Sequence, residues 1–382
     1  MRRTPIVVSA LALAGITGLA ACSPDDTAGS GGTAAAAGRP GKITVAASDT
    51  ACTVAKSELA AGTSTFTITN SGSKVTEFYV YAAGDRVMGE VENIVPGLTR
   101  DVVMELPPGM YETACKPGMT GKGIRNPLKV AGEHQPLSGN AQLAEAVASY
   151  KRYIKSQSDT LLTKTEEFAD AVKAGDVAKA KELYPVARTY WERIEPVAEI
   201  FGDLDPAIDA RENDVADGQE WTGYHKIEKD LWVAKDVSGD KKIADKLVTD
   251  VTTIVNKANS ATLSPVQLAN GAKGLLDEVA TGKITGEEDR YSHTDLWDFD
   301  ANLQGSKAAV QSLRPVLQER EPALVKTLDE KFAAAEAELG KHRSGDGWKL
   351  HTELSKGDLR ALSDAVNALA EPISKLAAVV AR

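Results

Sequence analysis

The feature that most constrains the fold of this chain of 382 residues is a change of hydrophobic pattern near Pro136. Before it, short β-branched segments alternate apolar and polar residues, as in 64–69 and 77–81. After it, apolar residues recur about every four positions, in segments rich in Ala, Leu, Lys and Glu. A period of two indicates strands and a period near 3.6 indicates helices. The sequence therefore predicts two domains of different class.

The first domain is predicted to span residues 42–132 as a small all-β sandwich. Its candidate strands are short and are separated by turn residues such as Asn70-Ser71-Gly72 and Pro107-Pro108-Gly109. Short strands at this spacing are typical of sandwiches and barrels.

The second domain, residues 133–382, is predicted to be a large all-α bundle. Gly and Asp residues separate its amphipathic segments, as at Gly175-Asp176. The predicted helices are 140–174, 176–201, 221–232, 241–260, 264–281, 295–318, 321–340 and 356–381. The domain is long enough to bury a core of its own.

The N-terminus has the three parts of a secretory signal peptide, predicted as residues 1–21. Arg2 and Arg3 precede an apolar run from Ile6 to Ile16, and small residues follow. The short run and Pro5 argue against an uncleaved membrane anchor.

The sequence Leu-Ala-Ala-Cys that ends at Cys22 resembles a bacterial lipobox. That resemblance implies cleavage before Cys22, a lipid on its sulfur and an extracytoplasmic protein anchored to the cell membrane. Residues 22–41 are rich in Gly, Ala, Ser and Thr and are predicted to form the anchor and a flexible tether. The formal net charge of −10 argues against nucleic acid as a partner.

Cys52 and Cys115 both lie in the β domain and leave two alternatives open. An extracytoplasmic pair can form a disulfide, or it can supply thiolate ligands to a soft or borderline metal. In the second case Glu77 and Met110 are candidate additional ligands. His134 is the one histidine of the domain region and is remote from Cys115 in sequence, which argues against a blue-copper site with two histidines.

The helical domain carries His225 and Glu228 three residues apart, and Glu192 and Glu195 at the same spacing. Side chains at this spacing share one face of a helix. The loop between the two pairs adds acids, among them Asp209. Because Trp residues flank these acids, the helices are predicted to be partly buried, where a cation would compensate the carboxylates. Oxygen ligands with one imidazole suit iron, and also admit manganese or zinc.

Two further observations bear on this site. Residues 286–300 combine acids, a histidine and aromatic residues, and are expected partly to cap a helix and partly to face the same cleft. The chain lacks the His-Glu-x-x-His motif of zinc peptidases, and the helical domain has no nucleophile motif, so peptidase activity is not expected.

Residues 191–199, 203–212 and 221–232 resemble the imelysin-type domain of the EfeO family, the substrate-binding components of bacterial EfeUOB iron-uptake systems. The order of signal, cupredoxin-like domain and helical His-x-x-Glu domain is also similar. The resemblance implies an iron site at His225 and Glu228, with Glu192, Glu195 and Asp209 as partners.

The resemblance also implies a second metal site, which maps to Cys52, Glu77 and Cys115. The family carries an acid after the Pro-Gly turn where this chain has Met110, which makes the site softer and favours copper over ferric iron.

The sequence thus predicts a lipid-anchored iron-binding component that captures ferrous or ferric iron and passes it to a membrane permease. A haem peroxidase of the same system is a further expected partner. The alternatives are a copper-dependent ferroxidase and a metal-dependent protein that binds polysaccharide at the cell surface.

Overall fold

The computed structural model of the protein describes residues 41–202, 204–215 and 218–382. The predicted signal peptide, the predicted lipidation at Cys22 and nearly all of the predicted tether lie outside these residues. Within the described ranges, no helix has both the length and the apolar character needed to cross a membrane.

The predicted β sandwich is confirmed. Its strands, as far as the chain is described, are β1 (Gly41–Ala47), β2 (Cys52–Val54), β3 (Glu58–Ala60), β4 (Gly62–Asn70), β5 (Thr76–Ala82), β6 (Arg86–Ile94), β7 (Thr99–Leu106), β8 (Gly109–Cys115) and β9 (Ile124–Ala131). One sheet has the order β2-β1-β4-β7 and the other β3-β9-β8-β5-β6. Strand pairs β1–β4 and β3–β9 are parallel, and the remaining pairs are antiparallel.

The core of the sandwich comes from alternate residues of these strands. Phe66 and Ile68 of β4 and Phe78 of β5 are fully buried, as period-two patterning requires. A disulfide between Cys52 of β2 and Cys115 of β8 joins the two sheets, with the Cα atoms 5.4 Å apart. The disulfide alternative is therefore the one observed.

The predicted helical domain is also confirmed. Among the described residues its helices are α1 (Ala141–Ala174), α2 (Val177–Ala198), α3 (Leu204–Asp209), α4 (Tyr224–Lys229), α5 (Lys241–Ser260), α6 (Pro265–Thr281), α7 (Asp295–Arg320), α8 (Pro322–Gly340), α9 (Lys356–Ile373) and α10 (Leu376–Val380). A hairpin connects α8 to the segment before α9. Its two strands, β10 (Arg343–Ser344) and β11 (Gly347–Trp348), have two residues each.

Three helices differ from the prediction. The helix expected over 221–232 begins only at Tyr224 and continues as a π-helical turn, Asp230–Ala234. The helix expected over 356–381 divides into α9 and α10 just after Pro372, whose ring removes a backbone donor. Helix α3 is six residues long, too short for hydrophobic periodicity to reveal it.

The two domains meet where β6 and β7 pack beside α6. The guanidinium of Arg86 donates a hydrogen bond to the carbonyl of Thr262 at 2.6 Å. The amide of Asn270 in α6 donates to the carbonyl of Val103 in β7 at 2.8 Å. These bonds fix the β domain against the helix that follows α5.

Candidate metal centre

The short helix α4 carries the His-x-x-Glu pair into the interior. Its first residue follows Gly223, whose φ of 90° favours glycine. Tyr224 and Ile227 anchor the helix in the hydrophobic core. His225 is 1% exposed and Glu228 is fully buried, so both polar side chains require partners inside the protein.

Glu228 binds the imidazole at one oxygen and the backbone at the other. Its Oε2 lies 3.1 Å from Nδ1 of His225. Its Oε1 accepts hydrogen bonds from the amides of Tyr291 and Ser292, at 2.9 and 2.7 Å, and from the Ser292 hydroxyl at 2.9 Å. Because the carboxylate accepts from Nδ1, the neutral imidazole keeps its one proton there, which leaves the lone pair of Nε2 for a metal ion.

The Nε2 atom of His225 is buried and has no hydrogen-bond partner among the described residues. It faces Oδ1 of Asp209 at 3.5 Å and Oε1 of Glu288 at 3.6 Å. These three ligand atoms lie within 4.8 Å of one another. One nitrogen and two carboxylate oxygens at these separations are the donor set that a transition metal takes from a protein.

A buried guanidinium, that of Arg188 in α2, lies among the carboxylates. It forms ion pairs with Glu192, Asp209, Glu288, Asp289 and Asp298. The Arg188 side chain has no exposed surface, so these contacts are needed to offset its desolvation. Arg188 therefore neutralises part of the negative charge around His225.

The surroundings shift the pKa values of the imidazole and of Glu288. Burial and Arg188 lower the pKa of His225, but Asp209, Glu228 and Glu288 outweigh them and raise it to about 10. Burial raises the pKa of Glu288, but Lys283, His225 and Arg211 outweigh it and hold this pKa well below its usual value. Without a metal ion, the imidazole is therefore protonated at neutral pH.

A small surface depression leads to this centre. It is lined by Arg211, Glu212, His225, Glu228, Glu288, Arg290 and Tyr291. Arg211 donates to Glu288 at 3.1 Å, and Tyr291 donates to Glu212 at 2.6 Å. The centre thus lies directly beneath a polar, charged rim.

Two protein families match this chain in sequence. The imelysin family model matches residues 146–376, more than half of the chain. The cupredoxin-like domain model matches residues 11–124.

Curated relatives match over nearly the whole length. The iron uptake system component EfeO of Escherichia coli (strain K12) is 39% identical over 346 residues, covering 89% of this chain and 91% of the relative. The protein of the same name from Shigella flexneri has the same identity and coverage. The chain belongs to the EfeO family.

One solved structure also resembles this EfeO-family chain. It is a putative iron-regulated protein A precursor from Parabacteroides distasonis ATCC 8503, with a TM-score of 0.51 and 14% identity. The match covers 65% of this chain and 97% of that one. At this identity the likeness supports the fold alone.

Of the residues predicted for the iron site of this EfeO-family chain, His225, Glu228 and Asp209 lie together. Glu192 is linked to them through Arg188. Glu195 instead faces Lys283 and belongs to a cluster with Glu192 and Glu278.

Other residues of the centre were missing from the predicted ligand set. Glu288 and Asp289 lie in the polar segment 286–300, which was expected to face the cleft. Arg188 was not predicted, although its position four residues before Glu192 is the spacing of a helical ion pair. No local sequence pattern indicated that Lys283 would be buried among these acids.

The predicted second metal site is not assembled. In the disulfide, Cys52 and Cys115 have no thiolate to offer a metal. Phe78 is the cross-strand partner of Cys115, so its neighbour Glu77 points to the opposite face of the sheet. Glu77 pairs there with Lys116 at 3.6 Å, while Met110 is 65% exposed. The thiolate-ligand interpretation is wrong for this oxidised pair.

Proposed function

We propose that this chain captures iron in its helical domain, between His225, Asp209 and Glu288, as the extracytoplasmic binding component of an EfeUOB-type uptake system. Glu228 orients the imidazole. The relatives are named iron uptake system components, which supports iron as the cargo.

The observation that carries the proposal is the buried, unbonded Nε2 of His225. A buried polar atom without a partner costs free energy, and a metal ion would satisfy it. Asp209 and Glu288 lie close enough to complete the ligand set with small movements of their carboxylates. Their hard oxygen atoms, with one imidazole, suit iron.

Arg188 neutralises part of the charge of the centre when no iron is bound. Its guanidinium contacts both Asp209 and Glu288, the two proposed carboxylate ligands. A bound cation therefore competes with Arg188 for the same oxygen atoms. This competition weakens the affinity of the centre for iron. A weaker affinity suits a carrier, because a carrier must also release its ion.

The remaining parts of the proposal concern location and partners. A lipid on Cys22 would hold the protein at the outer face of the cell membrane, where a membrane permease receives the iron. A haem peroxidase of the same system is the other proposed partner. The relatives are named as components of a system, which supports partners of this kind.

The test is anaerobic calorimetric titration of the full chain in detergent with ferrous iron. We expect His225→Ala to abolish binding and His134→Asn, which changes a histidine just after β9 that contacts Glu105, to leave it unchanged. Because His225→Ala leaves Oε2 of Glu228 buried without its imidazole partner, Asp209→Asn serves as a second variant. The Asn oxygen can still accept the hydrogen bond that Trp191 donates at 2.8 Å. Wild-type affinity in both variants would refute the assigned site.

A further inference from the structure

A second group of carboxylates lies apart from the His225 imidazole. Glu192 and Glu195 project from one face of α2, and Glu278 projects from α6 toward them. One oxygen from each of the three lies within 4.8 Å of the others. Only Glu278 has appreciable exposure, with 19% of its side chain accessible.

The ammonium of Lys283 lies at the centre of this group. Its Nζ is 2.7 Å from Oε2 of Glu278 and 2.9 Å from Oε2 of Glu192. The distance to Oε2 of Glu195 is 3.8 Å, too long for a hydrogen bond. One ammonium thus serves three carboxylates and leaves the third incompletely satisfied.

The carboxyl group of Glu195 is the least satisfied of the three. Its residue is 8% exposed, and its buried Oε2 has no hydrogen-bond partner among the described residues. An unpaired carboxylate oxygen in the interior is costly, and such an atom calls for a cation or an unseen partner.

The group has an access route from between the domains. A chamber of about 750 Å³ lies along the contact of β6 and β7 with α6, and Glu278 lines it together with Glu90, Glu92 and Glu199. The chamber is large enough for a hydrated cation, and its acids favour one electrostatically. Glu278 is therefore the link between the chamber and the buried Glu195.

We propose that Glu192, Glu195 and Glu278 form a second cation site, which opens to the chamber between the domains and which the ammonium of Lys283 occupies when no metal ion is bound. An ion bound by carboxylate oxygens alone is a hard one, such as Mn²⁺ or Mg²⁺. A divalent ion compensates more of the negative charge than one ammonium does, and it satisfies Glu195.

This site is distinct from the His225 centre, but contacts of Arg188 connect the two. Glu192 pairs with Arg188, which also pairs with Asp209 and Glu288. A cation that takes the place of Lys283 at Oε2 of Glu192 binds the same carboxylate whose Oε1 pairs with Arg188. Occupancy of the second site is expected to alter affinity at the first.

The experiment counts Mn²⁺ ions bound by the full chain in detergent, from the electron paramagnetic resonance signal of free Mn²⁺. We expect two ions for the wild type, one for Glu195→Gln and one for His225→Ala. The control Glu182→Gln, an exposed acid on the same helix, should keep two. Glu195→Gln preserves side-chain shape and size, so it should fold; Glu278→Gln repeats the test at a more exposed position.

The outcomes separate this inference from the proposed iron site. Two ions bound by both Glu195→Gln and Glu278→Gln would overturn the second site. If the wild type binds one ion, and if this ion remains in His225→Ala but is lost in Glu195→Gln, the second site is supported and metal binding at His225 is not. Lys283→Gln should bind the ion of the second site more tightly, and an unchanged affinity would overturn the role given to the lysine.

Discussion

The Nδ1 atom of His225 lies 3.1 Å from Oε2 of Glu228, three residues later on α4. Both oxygens of Glu228 are engaged, one by the imidazole and the other by two backbone amides. The second residue of the His-x-x-Glu pair therefore fixes the orientation of the first, and Asp209 and Glu288 are the carboxylates that face Nε2 of His225.

This relationship predicts the effect of Glu228→Gln. The Gln carbonyl can still accept from the amides of Tyr291 and Ser292, which directs its NH₂ group toward His225. In the wild type, loss of the Nε2 proton leaves the remaining ring proton on Nδ1, where Glu228 accepts it. In Glu228→Gln, Nδ1 must accept from the amide instead, so the neutral ring keeps its one proton on Nε2, the nitrogen proposed to bind the metal. We expect iron affinity to fall about 10- to 100-fold, with the fold retained.

Anaerobic calorimetry and thermal unfolding measure the two effects of Glu228→Gln. The matched control is Glu212→Gln at the exposed rim, which should bind iron as the wild type does. Wild-type affinity in Glu228→Gln would contradict the orienting role.

Iron binding should release protons. The pKa of His225 is raised to about 10, so the metal-free protein holds a proton on Nε2 that the metal must displace. Affinity should therefore rise by about tenfold for each pH unit between pH 6 and 8, if one proton is displaced. Calorimetry in two buffers of different ionisation enthalpy counts the protons; a count of zero at pH 7 would refute a protonated His225.

The same raised pKa affects the stability of the metal-free protein. The folded-state pKa of about 10 exceeds the unfolded value of 6.5. The stabilisation from protonated His225 is therefore fully present below pH 6.5 and is lost as the pH rises toward 10. Bound iron removes this dependence between pH 6.5 and 10, because the imidazole is then neutral in both the folded and the unfolded protein.

Helical spacing was enough to predict that His225 and Glu228 share a face, and likewise Glu192 and Glu195. It could not predict what each face meets, because that depends on how helices distant in sequence pack. Glu288 reaches His225 from a loop about 60 residues away, and Glu195 faces Lys283 instead of the imidazole.

The β domain illustrates the same limit. The alternating pattern predicted the sandwich, but it could not decide between a disulfide and a pair of thiolate ligands. That choice depends on the separation of Cys52 and Cys115 in space, and a Cα distance of 5.4 Å suits a disulfide.

The disulfide should stabilise the β domain without taking part in metal binding. The two cysteines are separated by 63 positions, and closing a loop of this length stabilises a fold by about 4 kcal/mol in the chain-entropy model. We expect the Cys52→Ser, Cys115→Ser variant to unfold its β domain at lower urea concentration, with an unchanged number of iron ions bound. Loss of a bound metal ion together with the cysteines would restore the thiolate interpretation.

The last prediction concerns Gly223, which precedes α4 and is not a ligand. A Cβ at this position would lie 2.1 Å from the carbonyl oxygen of Ile208, one residue before Asp209. Gly223 also has a φ of 90°, which side chains disfavour. Gly223→Ala must therefore push α4 away from α3 and separate His225 from Asp209.

We expect Gly223→Ala to cost about 3 kcal/mol of unfolding free energy and to weaken iron binding about tenfold or more, since ligand sets tolerate only small displacements. The control Gly239→Ala, where a Cβ meets no atom within 4 Å, should change neither quantity. Denaturant unfolding and calorimetry on both variants make the comparison. If Gly223→Ala loses stability but keeps its iron affinity, the contact between α3 and α4 does not set the geometry of the centre, and Asp209 is not one of its ligands.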